Sequence, residues 1–189
     1  MAGDLDSHAS TIMLIRHAER PDGDHPPFGV DEAGARCDES LTPTGWQRAH
    51  ALVGLFAPDA AGSASGLARP VALFASTPRK KNGSRRPVQT VTPLAAALGV
   101  TVDTGFGRSD IKALAKTLVR TPGPVLVSWQ REYLPEIVAA IGSVDTDVPD
   151  PWPEDRYDVV WVLTRTGSKR WTLRQTPQNL LPGDLPTGI

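Results

Sequence analysis

Short apolar runs along this chain alternate with segments in which apolar residues recur at helical spacing. The run from Thr11 to Ile15 has no apolar–polar alternation, which is typical of a strand buried on both faces of a parallel sheet. Strands are predicted at 11–15, at 71–75, near 100–103 and at 124–128. Helices are predicted at 43–56, 88–98, 109–119 and 131–142.

Two of these helices have recognisable start signals. Thr42 can cap the first helix with Pro43 in its first position, and Ser109 can cap the third. Helical spacing predicts one buried face of the first helix, formed by Trp46, Ala49, Val53 and Phe56.

Strands that alternate with helices predict an α/β fold, a three-layer α/β/α sandwich with a mostly parallel central sheet. The end of the chain has a different pattern. The apolar segments 157–163 and 170–174 are joined by a short link that contains Gly167, which favours an antiparallel hairpin. We therefore expect the sheet to finish with an antiparallel pair.

Length and composition favour one domain. The chain has 189 residues, of which 40% are hydrophobic and 22% charged, enough for one buried core and short for two. We expect a single domain over 1–189, with residues 1–10 as a flexible tail. There is neither a signal-peptide pattern nor an apolar segment of membrane-spanning length, and Cys37 is the only cysteine, so we expect a cytoplasmic protein.

The net charge limits the classes of partner. A formal charge of −1 provides no overall attraction to nucleic acid or to an anionic membrane, and we expect neither as a partner. Any anion site must therefore be local. The sequence leaves the oligomeric state open.

Charged side chains follow three of the predicted strands. Arg16 and His17 follow the first strand, and Arg131 comes soon after the strand at 124–128. Because the carboxyl ends of parallel strands meet at one edge, these residues should converge in one crevice. Arginines ahead of a helix N-terminus suit phosphate binding, and the second strand is followed by such a basic cluster. Its members are Arg79, Lys80, Lys81, Arg85 and Arg86.

A histidine among these arginines indicates more than phosphate binding. A partly neutral imidazole can attack phosphorus and hold the phosphoryl group as phosphohistidine, while arginines neutralise the charge of the transferring group. No histidine or cysteine pair has metal-ligand spacing, so we expect no metal and no other cofactor. The sequence predicts phosphoryl transfer at His17, and the alternative is a polar loop residue without a catalytic role.

Four segments, in order, resemble the histidine phosphatase superfamily, the phosphoglycerate mutase-like enzymes. They are LIRHAER at the first strand end, LTPTGWQRAHAL in the first helix, ASTP with SRRPVQTVTPLAAALG at the second strand end, and PVLVSWQREYLPEI around the fourth strand. RYDVVWVL and PQNLLPGD resemble the closing segments of a small bacterial branch. The resemblance covers 11–184 and implies a phosphoglycerate mutase-like fold. It also implies phosphatase or mutase activity, hydrolysis being the simpler expectation, on a phosphorylated small molecule or a phosphoprotein.

The resemblance implies roles for particular residues. His17 would be the nucleophile, and Arg16 the phosphate ligand beside it. Arg86 would be the second phosphate-binding arginine, with Arg85 as the alternative register.

The family also uses a carboxylic acid to protonate the leaving oxygen. Glu19, in the loop after the first strand, is the candidate for this role, and the alternative is a solvated carboxylate paired with Arg20. Other acids of the same loop stay open, namely Asp22, Asp24, Asp38 and Glu39.

One position departs from the family. Where the family has a second histidine after the fourth strand, this chain reads Trp129-Gln130-Arg131. Arginine can still bind phosphate, but it stays protonated and cannot relay a proton. Two functions stay open: a slow phosphatase with Arg131 as a third phosphate ligand, or a binding or sensor protein for a phosphate ligand. The loop 21–41 and the segment 145–156 are expected to shape the mouth of the pocket.

Overall fold

A computed structural model describes residues 10–58, 66–78 and 83–189. Nine residues of the predicted tail lie outside these ranges. So do three members of the predicted basic cluster, Arg79, Lys80 and Lys81.

The described residues form seven strands and four α-helices. The strands are β1 (Thr11–Arg16), β2 (Ala72–Ala75), β3 (Val102–Asp103), β4 (Val125–Trp129), β5 (Ser143–Val144), β6 (Val159–Arg165) and β7 (Arg170–Pro177). The helices are α1 (Pro43–Phe56), α2 (Arg86–Leu98), α3 (Ile111–Leu118) and α4 (Leu134–Ile141). A short 3-10 helix at Arg131–Tyr133 leads into α4. None of the described helices is long and apolar enough to cross a membrane.

The strands form one sheet in the order β3-β2-β4-β1-β6-β7-β5. β1 pairs in parallel with β4, and β4 with β2, so three carboxyl ends meet at the centre of one edge. β6 runs antiparallel to both β1 and β7, which confirms the predicted hairpin. The sheet does not finish with that pair, because the two-residue strand β5 adds to β7 in parallel at the edge. A strand this short has too few residues for a period to be recognised.

Different helices cover the two faces of the sheet, which confirms the predicted sandwich. Side chains of α1 and α2 form one apolar core, and side chains of α3 and α4 form the other. Ile12 and Leu14 of β1 face α3 and α4, whereas Met13 and Ile15 face α1 and α2. Because side chains alternate along a strand, the next two residues, Arg16 and His17, leave β1 on opposite sides.

The start of α1 is as predicted, but its buried face is only partly so. Thr42 caps the helix, with its Oγ1 accepting the Gly45 N–H at 3.2 Å. Trp46 and Val53 are half-buried, and the buried residues of α1 are Gly45, Arg48, Ala49, Leu52, Leu55 and Phe56. The pattern missed Arg48 because the interior position of an arginine depends on distant charged partners. In α3 the predicted cap is wrong: the helix begins at Ile111, with Asp110 rather than Ser109 at the cap position.

Candidate active site

The carboxyl ends of β1, β2 and β4 border a cavity of about 690 Å³. Four of the predicted site residues line it together: Arg16, His17, Arg86 and Arg131. Among the described residues, the charged side chains of the lining are five arginines and two glutamates. A chain of nearly balanced charge therefore concentrates positive charge at the strand ends.

His17 is held in one orientation by the backbone around it. Its N–H donates to the Trp129 carbonyl at 2.9 Å, which continues the pairing of β1 with β4 by one residue. The side chain is 5% exposed, and its Nδ1 lies 2.8 Å from the Ala18 carbonyl oxygen. Because a carbonyl oxygen only accepts, Nδ1 carries the proton. The lone pair of the neutral ring is then on Nε2, the atom that can attack an electrophile.

The environment keeps this imidazole neutral. Burial lowers the pKa of His17 from 6.5 to about 3, and the positive charges of Arg16, Arg86 and Arg20 act in the same direction. The hydrogen bond to Ala18 opposes these effects only in part. His17 is thus a neutral imidazole surrounded by cations.

We expect the His17 ring to show a single, Nδ1-protonated form at about pH 5, where an ordinary histidine is mostly charged. The unfolded chain protonates near 6.5 and the folded site near 3, so His17 makes folding less favourable as the pH falls through this window. Nitrogen-15 NMR of the ring, assigned with His17→Gln, measures this directly. A doubly protonated His17 at that pH would contradict it.

Arg16 is a buried cation without an acidic partner among the described residues. Its Nη1 donates to backbone carbonyls of one segment, those of Pro153, Glu154 and Arg156. Its guanidinium lies 3.7 Å from the centre of the Tyr157 ring, and its buried Nε has no hydrogen-bond partner. Burial lowers its pKa to about 10, so it remains charged at neutral pH. A charged, incompletely bonded guanidinium beside His17 suits an anion ligand.

Arg86 opens α2 from the other side of the cavity. Its Nε donates to the Ser40 carbonyl at 3.1 Å and its Nη2 to the Asp38 carbonyl, and no ion pair involves it among the described residues. Burial lowers its pKa, and the charge of Arg20 contributes to the shift. The alternative, Arg85, is exposed and does not line the cavity.

Thr90 connects the His17 loop to the start of α2. The Ala18 N–H donates to Thr90 Oγ1 at 2.8 Å, and that hydroxyl donates to the Arg86 carbonyl at 2.7 Å. Thr90 is fully buried, so no water can replace these bonds without rearrangement. The Thr90 hydroxyl therefore bonds to the backbone of two residues: Ala18, whose carbonyl orients the His17 ring, and Arg86.

Thr90→Val should lower both stability and turnover. Valine keeps the shape but leaves the buried Ala18 N–H unpaired, at a cost of about 1–3 kcal/mol in the free energy of unfolding. Thr92→Val is the matched control, because Thr92 makes the same bond within the helix, to the Val88 carbonyl, at an exposed position. We expect that control to stay within about 0.5 kcal/mol of the native protein in denaturant titrations. Equal effects of the two changes would contradict the proposed link.

The structure does not bring Glu19 to the cavity. Its Oε1 accepts from Nε and Nη2 of the buried Arg48 at 2.9 and 2.8 Å, and Arg48 also pairs with Asp184 at 2.7 Å. Glu19 does not line the cavity, and Arg48 holds its carboxylate away from the position predicted for a proton donor. The predicted alternative, a pair with Arg20, does not form either, since the ion pair of Arg20 is with Glu154. Within the described residues, none of the other candidate acids lines the cavity: Asp22, Asp24, Asp38 and Glu39.

The two segments expected at the mouth differ in their roles. Glu154 of the segment 145–156 lines the cavity. No residue of the loop 21–41 does so among the described residues, and that loop packs on α2, where Gln89 accepts from the Leu41 N–H at 3.0 Å.

Arg131 lies in the cavity, and two of its guanidinium nitrogens are engaged in hydrogen bonds. Its Nη1 donates to the Trp152 carbonyl at 3.0 Å, and its Nη2 to Glu154 Oε1 at 2.6 Å. Its guanidinium therefore binds the segment 152–154. Its positive charge also helps to lower the pKa of Arg16.

The sequence interpretation missed several residues of this site. Arg20 lines the cavity, and its position three residues after His17 in LIRHAER is the sequence signal that indicates it. Ser84 and Gln130 also line it, and each has a buried side-chain oxygen that finds no hydrogen-bond partner within the described part of the chain. Glu154 belongs to the segment 145–156 that the sequence predicts at the mouth, but no local pattern marks Glu154 itself or the neighbouring Tyr157.

Of the comparisons with known proteins, the search of solved structures found matches, and these concern the fold. No family model and no curated protein matches the chain. Its structure is similar to that of a Nakamurella multipartitia protein provisionally named phosphohistidine phosphatase SixA, with a TM-score of 0.51 and 19% identity over 88% of this chain and 94% of the other. The predicted phosphoglycerate mutase-like fold is therefore confirmed.

Two further solved structures match at lower TM-scores. One is the Agrobacterium tumefaciens protein that has the same provisional name, with a TM-score of 0.48 and 17% identity over 88% of this chain and 97% of the other. The other is a mycobacterial glucosyl-3-phosphoglycerate phosphatase in complex with inorganic phosphate, with a TM-score of 0.48 and 14% identity over 87% and 95% of the two chains.

Proposed function

We propose that this protein is a histidine phosphatase that hydrolyses a phosphorylated small molecule or phosphoprotein through a phosphohistidine at His17. The observation that carries the proposal is the buried, neutral imidazole of His17, with Nδ1 fixed by the Ala18 carbonyl. Two arginines without acidic partners among the described residues, Arg16 and Arg86, line the same cavity and support it.

The proposed reaction has two displacements at phosphorus. In the first, Nε2 of His17 bonds to phosphorus, and the bond from phosphorus to the leaving oxygen breaks with its electron pair on oxygen. In the second, water attacks phosphorus, the P–N bond breaks, and the products are inorganic phosphate and neutral His17, with one water proton passing to solvent. Arg16 and Arg86 would neutralise the negative charge of the transferring group in both steps.

The choice of first substrate follows from the position of Glu19. Because its carboxyl group does not reach the cavity, we expect the leaving oxygen to depart as an anion or to take a proton from water. Groups that are stable as anions leave fastest under those conditions, so an aryl phosphate is the appropriate first substrate.

Arg131 is the third proposed anion ligand, and its position also favours a second candidate function. It lies at the position where the family that the sequence resembles has a second histidine. A histidine can exchange a proton, which arginine cannot do at neutral pH. The alternative is a protein that binds a phosphate ligand without turning it over.

Hydrolysis of an aryl phosphate by the native protein and by Arg131→His, with a chelator present, distinguishes the two functions. We expect the native protein to turn over, and Arg131→His to turn over faster because it restores a proton-exchanging group. An inactive native protein with an active Arg131→His variant would identify a binding protein instead. Lower activity of Arg131→His would show that Arg131 assists catalysis.

A further inference from the structure

The Ala18 carbonyl, which accepts from Nδ1 of His17, belongs to the peptide unit between Ala18 and Glu19. A peptide unit is planar, so the direction of this carbonyl depends on what fixes the backbone on its two sides. On the Ala18 side, Thr90 Oγ1 accepts from the Ala18 N–H at 2.8 Å. The contacts of Glu19, on the other side, therefore also decide how the His17 ring is held.

The start of α1 fixes the backbone of Glu19. Its carbonyl accepts from the Thr42 N–H at 3.0 Å and from Thr42 Oγ1 at 3.3 Å. Gly45, in the first turn of α1, allows this close approach, because a Cβ there would lie 2.6 Å from the Glu19 carbonyl oxygen. The residue after Ala18 is thus supported directly by the helix.

A buried ionic cluster of Glu19, Arg48 and Asp184 fixes the Glu19 carboxylate. Oε1 of Glu19 accepts from Nε and Nη2 of Arg48, whose side chain is 5% exposed. Both carboxylate oxygens of Asp184 bind the same guanidinium, at 2.7 and 3.0 Å, and Asp184 also accepts from the N–H groups of Leu180 and Leu181. Because an unpaired buried charge is costly, the three groups hold one another in place.

The cluster holds a geometry and does not exchange protons near neutral pH. Burial alone would lower the pKa of Arg48, but its hydrogen bonds to Asp184 and Glu19 outweigh that effect and raise the pKa. Burial alone would raise the pKa of Asp184, but the hydrogen bonds from Arg48, Leu180 and Leu181 lower it. Arg48 and Asp184 therefore both stay charged where the protein would work.

We propose that Glu19 is a positioning residue for His17: Arg48 and Asp184 hold its carboxylate, and Glu19 in turn fixes the Ala18 carbonyl that keeps the ring proton on Nδ1. Nε2 then stays unprotonated, as attack on phosphorus requires. Glu19 acts from outside the cavity, through the backbone, and not as a proton donor. This assignment rests on the proposed function, since a nucleophilic His17 is what needs one fixed ring form.

Two substitutions of Glu19 separate positioning from proton donation. Glutamine keeps an oxygen for Arg48, and its amide nitrogen would replace Oε2, a buried atom without a hydrogen-bond partner among the described residues. We expect Glu19→Gln to keep most of the native kcat/KM for an aryl phosphate, and Glu19→Ala to lose about tenfold or more. A proton donor would be lost in both variants, so equal losses would overturn the proposal.

The leaving group provides an independent distinction. Glu19→Ala should lower kcat/KM for phenyl phosphate and for nitrophenyl phosphate by the same factor, because the defect is in the nucleophile. Loss of a proton donor would instead slow the phenyl ester more, since phenol is the poorer leaving group, and that result would overturn the proposal. Inhibition by inorganic phosphate should stay within about twofold of native, because Arg16 and Arg86 are unchanged.

Nitrogen-15 NMR of the His17 ring measures the proposed effect itself. At neutral pH we expect the Nδ1-protonated form in the native protein and in Glu19→Gln, and a mixture of the two neutral forms in Glu19→Ala. A ring that stays Nδ1-protonated in Glu19→Ala would overturn the proposal, whatever the activities.

Leu118→Ala is the control for a general loss of stability. It removes a buried side chain of α3 from the apolar core on the face of the sheet opposite α1. Below its unfolding temperature, this variant should keep the native ring form and a kcat/KM within about twofold of native. If it reproduces the effects of Glu19→Ala, lost stability explains them and the proposal is overturned.

Asp184→Asn tests the same link from a distant part of the chain, and it decides the matter even where Glu19→Ala does not fold. Asparagine presents an amide group to Arg48 in place of one carboxylate oxygen, so kcat/KM should fall and the ring forms should mix. Combined with Glu19→Ala, it should cause no further loss, because both changes act through one carboxylate. Native behaviour of Asp184→Asn, or additive losses in the double variant, would overturn the proposal.

Failure of the proposed function is a separate result. If the native protein turns over no aryl phosphate, the proposed hydrolysis fails, and the ring NMR alone still decides whether Glu19 fixes His17.

Discussion

Replacement of His17 by alanine is expected to lower kcat for an aryl phosphate by at least about 10,000-fold. Both proposed displacements at phosphorus use Nε2 of His17, and the proposed reaction gives that role to no other side chain. Loss of the nucleophile leaves only the phosphate-binding arginines, which can position a substrate but cannot form the covalent intermediate. Steady-state assays on matched preparations measure the effect.

The same variant should keep its fold. The imidazole bonds to the carbonyl of its own chain neighbour and lines a cavity rather than the apolar cores. We expect the free energy of unfolding to change by less than about 1 kcal/mol, read from denaturant titration. Undiminished turnover would exclude His17 as the nucleophile. A large loss of stability would instead give it a structural role.

Replacement of Arg86 by glutamine should reduce kcat/KM by about 100-fold or more, because it removes a fixed positive charge from the transferring phosphoryl group. Arg85→Gln is the matched control, with the same chemical change one residue earlier in the chain. Arg85 is exposed and outside the cavity lining, so its replacement should leave kcat/KM within about twofold of native.

This pair is a cleaner comparison than a change at Arg16. Arg16 is 1% exposed and bonds to three carbonyls of the 153–156 segment, so its loss would mix structural and catalytic effects. If Arg85→Gln lost as much activity as Arg86→Gln, the assignment of the second phosphate ligand to Arg86 would be wrong.

The parts of the fold that sequence predicts well are those with local causes. The run 11–15 needs only its own apolar residues to be recognised as a buried strand, and the polar residues directly after it lie at the strand end for geometric reasons. The parallel order then brings that end next to the end of β4. Four of the five predicted site residues meet in one cavity because each follows from strand ends in this way.

Glu19 shows what sequence cannot provide. Its partner Arg48 is 29 positions away, and Arg48 in turn bonds to Asp184 at a separation of 136. The motif alone suggests that Glu19, two residues after His17, lies beside the reacting phosphate. Only the fold shows that its carboxylate belongs to a buried ionic cluster under the loop.

The same limit applies to the segment that encloses Arg16. Its carbonyl contacts span 137 to 140 positions, and Tyr157 stacks on the guanidinium from the same distant segment. Contacts of this range depend on the completed sheet, since β6 must pair with β1 before residues 152–157 reach the site. No period or turn signal in the sequence encodes them.

The most direct test of the central claim is to trap the phosphoryl group on the protein. Native protein is mixed rapidly with an aryl phosphate and quenched in alkali, since the P–N bond of phosphohistidine survives alkali and breaks in acid, and its peptides are then analysed by mass spectrometry. We expect a phosphoryl group on His17 in the native protein and none in His17→Ala. Turnover by the native protein with the phosphoryl group on another residue, or on none, would contradict it.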